Sequence, residues 1–143
     1  MSERLLKMGI SILGFMTLIN KDQKMNILYV DNEKDSLSSF RAVFRRDYNI
    51  FTCSQPLRVP LLIYKNNIKV VLSDQSMPFI SGIDLFTFLK IENEDVIRIL
   101  VTGSVFEDKK QELIENDIIH AWVNKPWEKE KLQHIISTLS VCV

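Results

Sequence analysis

The chain has 143 residues, 46% of them apolar and 25% charged, enough to close one core and too few for a second folded module, so any output domain is expected on another chain. Lys and Arg number 18, as do Asp and Glu, and no basic cluster stands out, so direct nucleic-acid binding is not expected. Cys53 and Cys142 lie far apart without metal-type spacing and read as reduced thiols of a cytoplasmic protein, Cys53 as part of the core.

Residues 1–24 differ from the rest. The run "LLKMGISILGFMTLI" from Leu5 to Ile19 is apolar but interrupted by Lys7, and falls short of the roughly 20 residues that span a bilayer. No small-residue cleavage site follows it. Three readings stay open: a helix that packs on the domain or on a second copy, a membrane-surface segment, or an extension upstream of a start at Met25. The helix is preferred.

From Met25 strand-like runs alternate with helical spacing. "NILYV" (26–30) is the first strand, and Leu37, Phe40, Ala42, Val43 and Phe44 mark a helix reaching Arg46. "YNIFTC" is a second strand, followed by a short helix from Pro60 to Tyr64, since Pro is accepted in a first turn. "KVVL" is the third strand; Ile83, Leu85, Phe86, Phe88, Leu89 and Ile91 form the next helix. "IRILV" (97–101), a helix over Glu107–Glu115, "IHAWV" and a helix from Glu128 to Leu139 complete the order. Five strands alternating with helices predict a doubly wound α/β fold, a parallel sheet covered on both faces, with residues 25–143 as its domain.

In such sheets ligands sit beyond the carboxyl ends of the strands, near the switch in strand order. Asp31 follows the first strand, Asp74 the third, Thr102 the fourth and Lys125 the fifth, so two carboxylates, a hydroxyl and an ammonium converge on one rim. A carboxylate is a competent nucleophile toward a phosphoryl group once charge on the transferring oxygens is neutralised. Mg²⁺ is commonly held by one or two carboxylates, which suits Asp31 with Asp74; Lys125 and Thr102 can meet the remaining oxygens. Trp127 beside Pro126 reads as a packed lid at the rim. His120 and His134 have no ligand partners and read as structural or surface residues.

The ordered segments "ILYVDNE", "VVLSDQSMP…SG", "ILVTG" and "VNKPW" resemble bacterial response-regulator receiver domains from about Met25 to Leu139. The resemblance implies the flavodoxin-like strand order 2-1-3-4-5. It implies Asp74 as phospho-acceptor, with Thr102 and Lys125 completing the catalytic set. Asp31, Asn32, Asp74 and the Ser76 backbone carbonyl are the implied Mg²⁺ ligands. Thr102 and Trp122, three residues before Lys125, are the implied switch pair, and the Lys125-Pro126 bond is expected to be cis. The implied partners are a histidine kinase or histidine phosphotransfer protein and a separate output protein. "DQxMP", "TG" and "KPW" are similar to receivers found ahead of cyclic-dinucleotide enzymes. A homodimer would form through the fourth helix, fifth strand and fifth helix, or through the N-terminal helix.

One position departs from the family. Where two adjacent acids usually follow the first strand, this chain has Asp31-Asn32, which lowers the negative charge offered to Mg²⁺. Glu33, one residue further, is expected to face away. Two other readings therefore stand beside the phosphorylated switch. One is a pseudo-receiver that keeps the fold as a binding module. The other is a phosphohydrolase of the haloacid-dehalogenase type, which wants an acid two residues after the nucleophile, where this chain has Ser76.

Overall fold

The computed structural model describes residues 3–21, 23–103 and 107–141; Cys142 lies outside them. Two short helices, α1 (Glu3–Lys7) and α2 (Ile12–Lys21), precede β1 (Asn26–Val30), α3 (Lys34–Phe44), β2 (Asn49–Cys53), a 3-10 turn (Pro56–Arg58) and α4 (Val59–Asn66). Then come β3 (Val70–Asp74), α5 (Gly82–Glu92), β4 (Ile97–Thr102), α6 (Glu107–Glu115), β5 (Ala121–Asn124) and α7 (Lys129–Val141). The five strands run parallel in the order β2-β1-β3-β4-β5, as expected.

Alternation along each strand divides the core between two faces. Leu28, Val30, Val71 and Leu100 point toward α4, α5 and α6, joining Ile63, Phe86, Leu89 and Leu113. Ile27, Tyr29, Val70, Leu72, Ile99 and Val101 point the other way and meet Phe40 and Phe44 of α3 and Leu132 and Ile136 of α7. Cys53 is a buried free thiol within the first layer.

The N-terminal run is not one helix. Gly9, at φ +74°, separates α1 from α2, and Ile12, Leu13 and Met16 remain exposed rather than sealed against the sheet. The fifth strand begins at Ala121 rather than Ile119, because the His120 ring precedes it as an acceptor: its Nδ1 takes the backbone N–H of Arg98 at 2.9 Å.

Arg98, at the start of β4, is wholly buried and donates to the carbonyls of Glu94, Val96, Asp117 and Ile118 at 2.8–3.2 Å. An arginine is tolerated there because its fork of N–H donors is satisfied by backbone oxygens, with the Asp117 carboxylate 3.8 Å away.

The loop after β3 is built to return α5 to the strand end. Gln75 donates its N–H to Val101 O, while its own carbonyl and side-chain oxygen accept from the N–H groups of Gly82 and Ile83. Ser81 and Asp84 close a reciprocal capping box on the first turn. A Cβ at Gly82 would stand 2.6 Å from Asp74 O and 2.8 Å from Leu100 Cδ1, so only glycine permits this approach. Gly82→Ala should lower stability by about 1–3 kcal/mol in urea denaturation, the usual range for overpacking; an unchanged midpoint would show that the contact yields without cost.

Candidate phosphoryl-accepting site

β1 has β2 on one side and β3 on the other, so the switch in strand order lies between β1 and β3. Asp31 follows β1 and Asp74 ends β3 at that crevice. Lys125 follows β5, held by its N–H on Thr102 O at 2.9 Å, and precedes a cis peptide to Pro126, as expected.

These three side chains meet. Lys125 Nζ lies 3.2 Å from Asp31 Oδ2 and 3.3 Å from Asp74 Oδ1, one ammonium shared by two carboxylates. Asp31 is fully buried; its Oδ2 also accepts from the Tyr29 hydroxyl at 2.8 Å, and Oδ1 from the Glu33 backbone N–H at 3.0 Å. The Glu33 side chain is exposed, and its carboxylate accepts from Ser36 Oγ at 3.3 Å.

The charges leave a deficit. Burial pushes the Asp74 carboxyl above its usual range, and the Asp31 charge adds to this; Lys125 and the Ser76 backbone hydrogen bond oppose the rise without cancelling it. Burial pulls the Lys125 ammonium down, but Asp74 and Asp31 outweigh it and its net shift is upward. Burial, then the charge and hydrogen bond of Asp31, drive the Tyr29 phenol far above its ordinary range, so it stays a neutral donor.

The remaining expected residues stand further back. Asn32 is exposed and lines an apolar groove of about 380 Å³ with Ser54, Pro56, Met77 and Phe79. Thr102 is buried at the end of β4, but its hydroxyl donates to Gly103 O at 3.0 Å rather than to Asp74. Ser76 enters through its backbone bond to Asp74. Trp122 is half-buried on the core face lined by α6, away from the acids, with Lys110 Nζ 5.4 Å from its ring centre. Trp127 packs on Phe40 and Phe44 at 5.6 and 5.3 Å, and is the rim lid the sequence suggests. His134 is exposed.

Among the described residues no three His, Cys, Asp or Glu side chains cluster, so the pocket offers two carboxylates. Two hard anionic oxygens partly neutralised by one ammonium fit Mg²⁺, which keeps several waters and needs only one or two carboxylates from the protein.

Sequence reasoning missed Tyr29 and Lys110. Tyr29 was readable: it lies two residues before Asp31, so the period of two puts both on one face. Lys110, fully buried on α6 with Nζ on Asn124 Oδ1 at 2.9 Å, leaves no mark in a helix that reads as polar.

A doubly wound parallel domain with two acids at its switch point and a lysine bridging them has the build of a signalling receiver domain. The response regulator receiver domain model matches residues 27–137, and the chain belongs to that family. Members of the family are signalling switches and generally not turnover enzymes. The chain is 23% identical over 122 residues to the hydrogenase transcriptional regulatory protein HoxA of Cupriavidus necator, covering 85% of this chain and 25% of that protein. It thus spans about a quarter of the length of the curated relative it matches. The signal receiver domain of an HD domain-containing protein from Pseudomonas fluorescens superposes with a TM-score of 0.73 at 20% identity, covering 81% of this chain and 94% of that one. Chemotaxis protein CheY4 of Vibrio cholerae gives 0.72 at 18% identity, covering 80% and 98%. Both share the fold. Among the described residues no helix is long and apolar enough to cross a membrane.

Proposed function

We propose that this receiver domain accepts a phosphoryl group on Asp74 from a histidine kinase or histidine phosphotransfer protein and acts as a phosphorylation-dependent switch in a phosphorelay. The observation that carries this reading is the single ammonium of Lys125 within 3.3 Å of both Asp74 and Asp31. An Asp74 carboxylate oxygen attacks the phosphorus of the donor phosphohistidine; the new O–P bond forms as the P–N bond breaks, and its electron pair stays on the imidazole nitrogen. Lys125 follows the charge onto the transferred phosphoryl. Asp31 and Asp74, with the Asn32 amide oxygen and the Ser76 carbonyl, would hold Mg²⁺, and the ion would supply neutralisation of charge on the transferring oxygens when bound. The added charge then draws the Thr102 hydroxyl off Gly103 toward the site, and Trp122 follows. That remodels the surface of α6, β5 and α7, where a second copy or a separate output protein reads it; a cyclic-dinucleotide enzyme is one such output. Residues 25–143 make up the receiver and residues 1–24 a helical extension, in a cytoplasmic protein.

One observation favours the second reading, a pseudo-receiver used as a constitutive binding module: Asn32, a neutral amide beside Asp31, is exposed and lines the apolar groove. Titration with Mg²⁺ and then beryllofluoride, followed by tryptophan emission, separates the two. Trp127 is coupled to the pocket through Phe40, which stacks on Tyr29 at 4.3 Å. A saturable response to both supports the switch, whereas silence up to tens of millimolar Mg²⁺ overturns it and leaves the binding module.

A further inference from the structure

We propose that Tyr29 is a positioning residue of the phosphorylation site, its hydroxyl fixing the Asp31 carboxylate for metal binding when Lys125 turns away to the phosphoryl group. The inference rests on the switch reading above. Packing does not explain the hydroxyl. The Tyr29 ring is buried in the α3/α7 layer, stacked on Phe40 at 29° between planes, and a phenylalanine would fill the same space. A buried hydroxyl is costly unless it is bonded, and this one donates to Asp31 Oδ2 at 2.8 Å.

The donors on Asp31 are unequal. Oδ2 holds Tyr29 and Lys125, and Oδ1 holds the Glu33 N–H. Lys125 is shared with Asp74, so its grip on Oδ2 is the one that phosphorylation weakens. Once the ammonium follows the phosphoryl, Oδ2 keeps Tyr29 alone, a neutral donor on a rigid ring that cannot follow. Without it the carboxylate turns about its own axis, and a divalent cation meets an oxygen that must first be ordered. The device matters more in this chain than in one with two adjacent acids, because Asn32 brings no second charge to share the task.

The test compares wild type with Tyr29→Phe, the full chain in each case, by thermal unfolding and by Mg²⁺ titration on tryptophan emission with and without beryllofluoride as the phosphoryl stand-in. The variant should keep its unfolding transition while its Mg²⁺ dissociation constant with beryllofluoride present rises about tenfold, the lower end of what loss of an outer ligand partner costs. A purely structural tyrosine would move the unfolding midpoint and leave the Mg²⁺ requirement unchanged. Wild type and variant binding Mg²⁺ within twofold of each other with beryllofluoride present would overturn the role of Tyr29 and leave the switch standing. A silent wild type would overturn both.

Discussion

Asp74→Asn takes up no phosphoryl group from acetyl phosphate, gives no beryllofluoride response, and unfolds at a higher urea concentration than its parent at neutral pH. The first two losses are complete because the nucleophilic oxygen is gone. The third follows from the upward shift of the Asp74 carboxyl, whose largest cause is burial. In the unfolded chain the group titrates near its ordinary value of about 4. The folded protein holds the proton more tightly, so below that pH Asp74 costs nothing. As pH rises through the ordinary value toward the raised one, the unfolded chain ionises first and the folded state loses ground; above both, the whole penalty stands. The stability gained by Asp74→Asn should therefore be near zero at about pH 3 and reach about 1 kcal/mol at about pH 7.5, a usual yield for relieving a functional site. Urea denaturation without Mg²⁺ at the two pH values checks it. A gain that does not grow with pH would mean Lys125 already compensates the buried charge.

Asn32→Asp strengthens Mg²⁺ binding by about 10- to 100-fold, or about 1.4–2.7 kcal/mol. The present pocket sets two carboxylates against one ammonium, and a third acid at the rim adds an anionic oxygen in reach of a bound cation. The same change should make the metal-free protein less stable at low ionic strength, since the new charge faces two others, and added salt should recover part of the loss. Isothermal titration with Mg²⁺ measures the first effect and thermal unfolding across ionic strength the second. An affinity unchanged by the substitution would place residue 32 outside the metal's reach and favour the binding-module reading.

The strand order came with the resemblance of the ordered segments to receiver domains, whereas the meeting of Asp31, Asp74 and Lys125 was legible because it depends on position alone: a residue just past a parallel strand has one rim to occupy. What could not be read depended on rotamers and on pairing between distant residues. Thr102 sits where expected, yet its hydroxyl turns to Gly103, one of several staggered choices a strand end allows. Asn32 lies just beyond the strand, where alternation no longer dictates the side-chain direction, and it lines the groove. Arg98 and Lys110 count as surface residues in any hydropathy pattern; each is buried because oxygens from elsewhere in the chain, such as Ile118 O and Asn124 Oδ1, receive it. The break at Gly9 was readable only in hindsight, as a glycine inside an apolar run signals tolerance of a left-handed turn without requiring one.

Arg98 gives β4 a mechanical asymmetry. The strand is riveted at its base to four carbonyls of the surrounding loops, and its far end carries Thr102, six residues of strand in all. A beam clamped at one end deflects at the other. On the proposed switch, a pull on Thr102 would therefore be spent at the tip of β4 and would not slide the strand along β3 and β5. Register across the sheet would then be preserved while the proposed output surface moves.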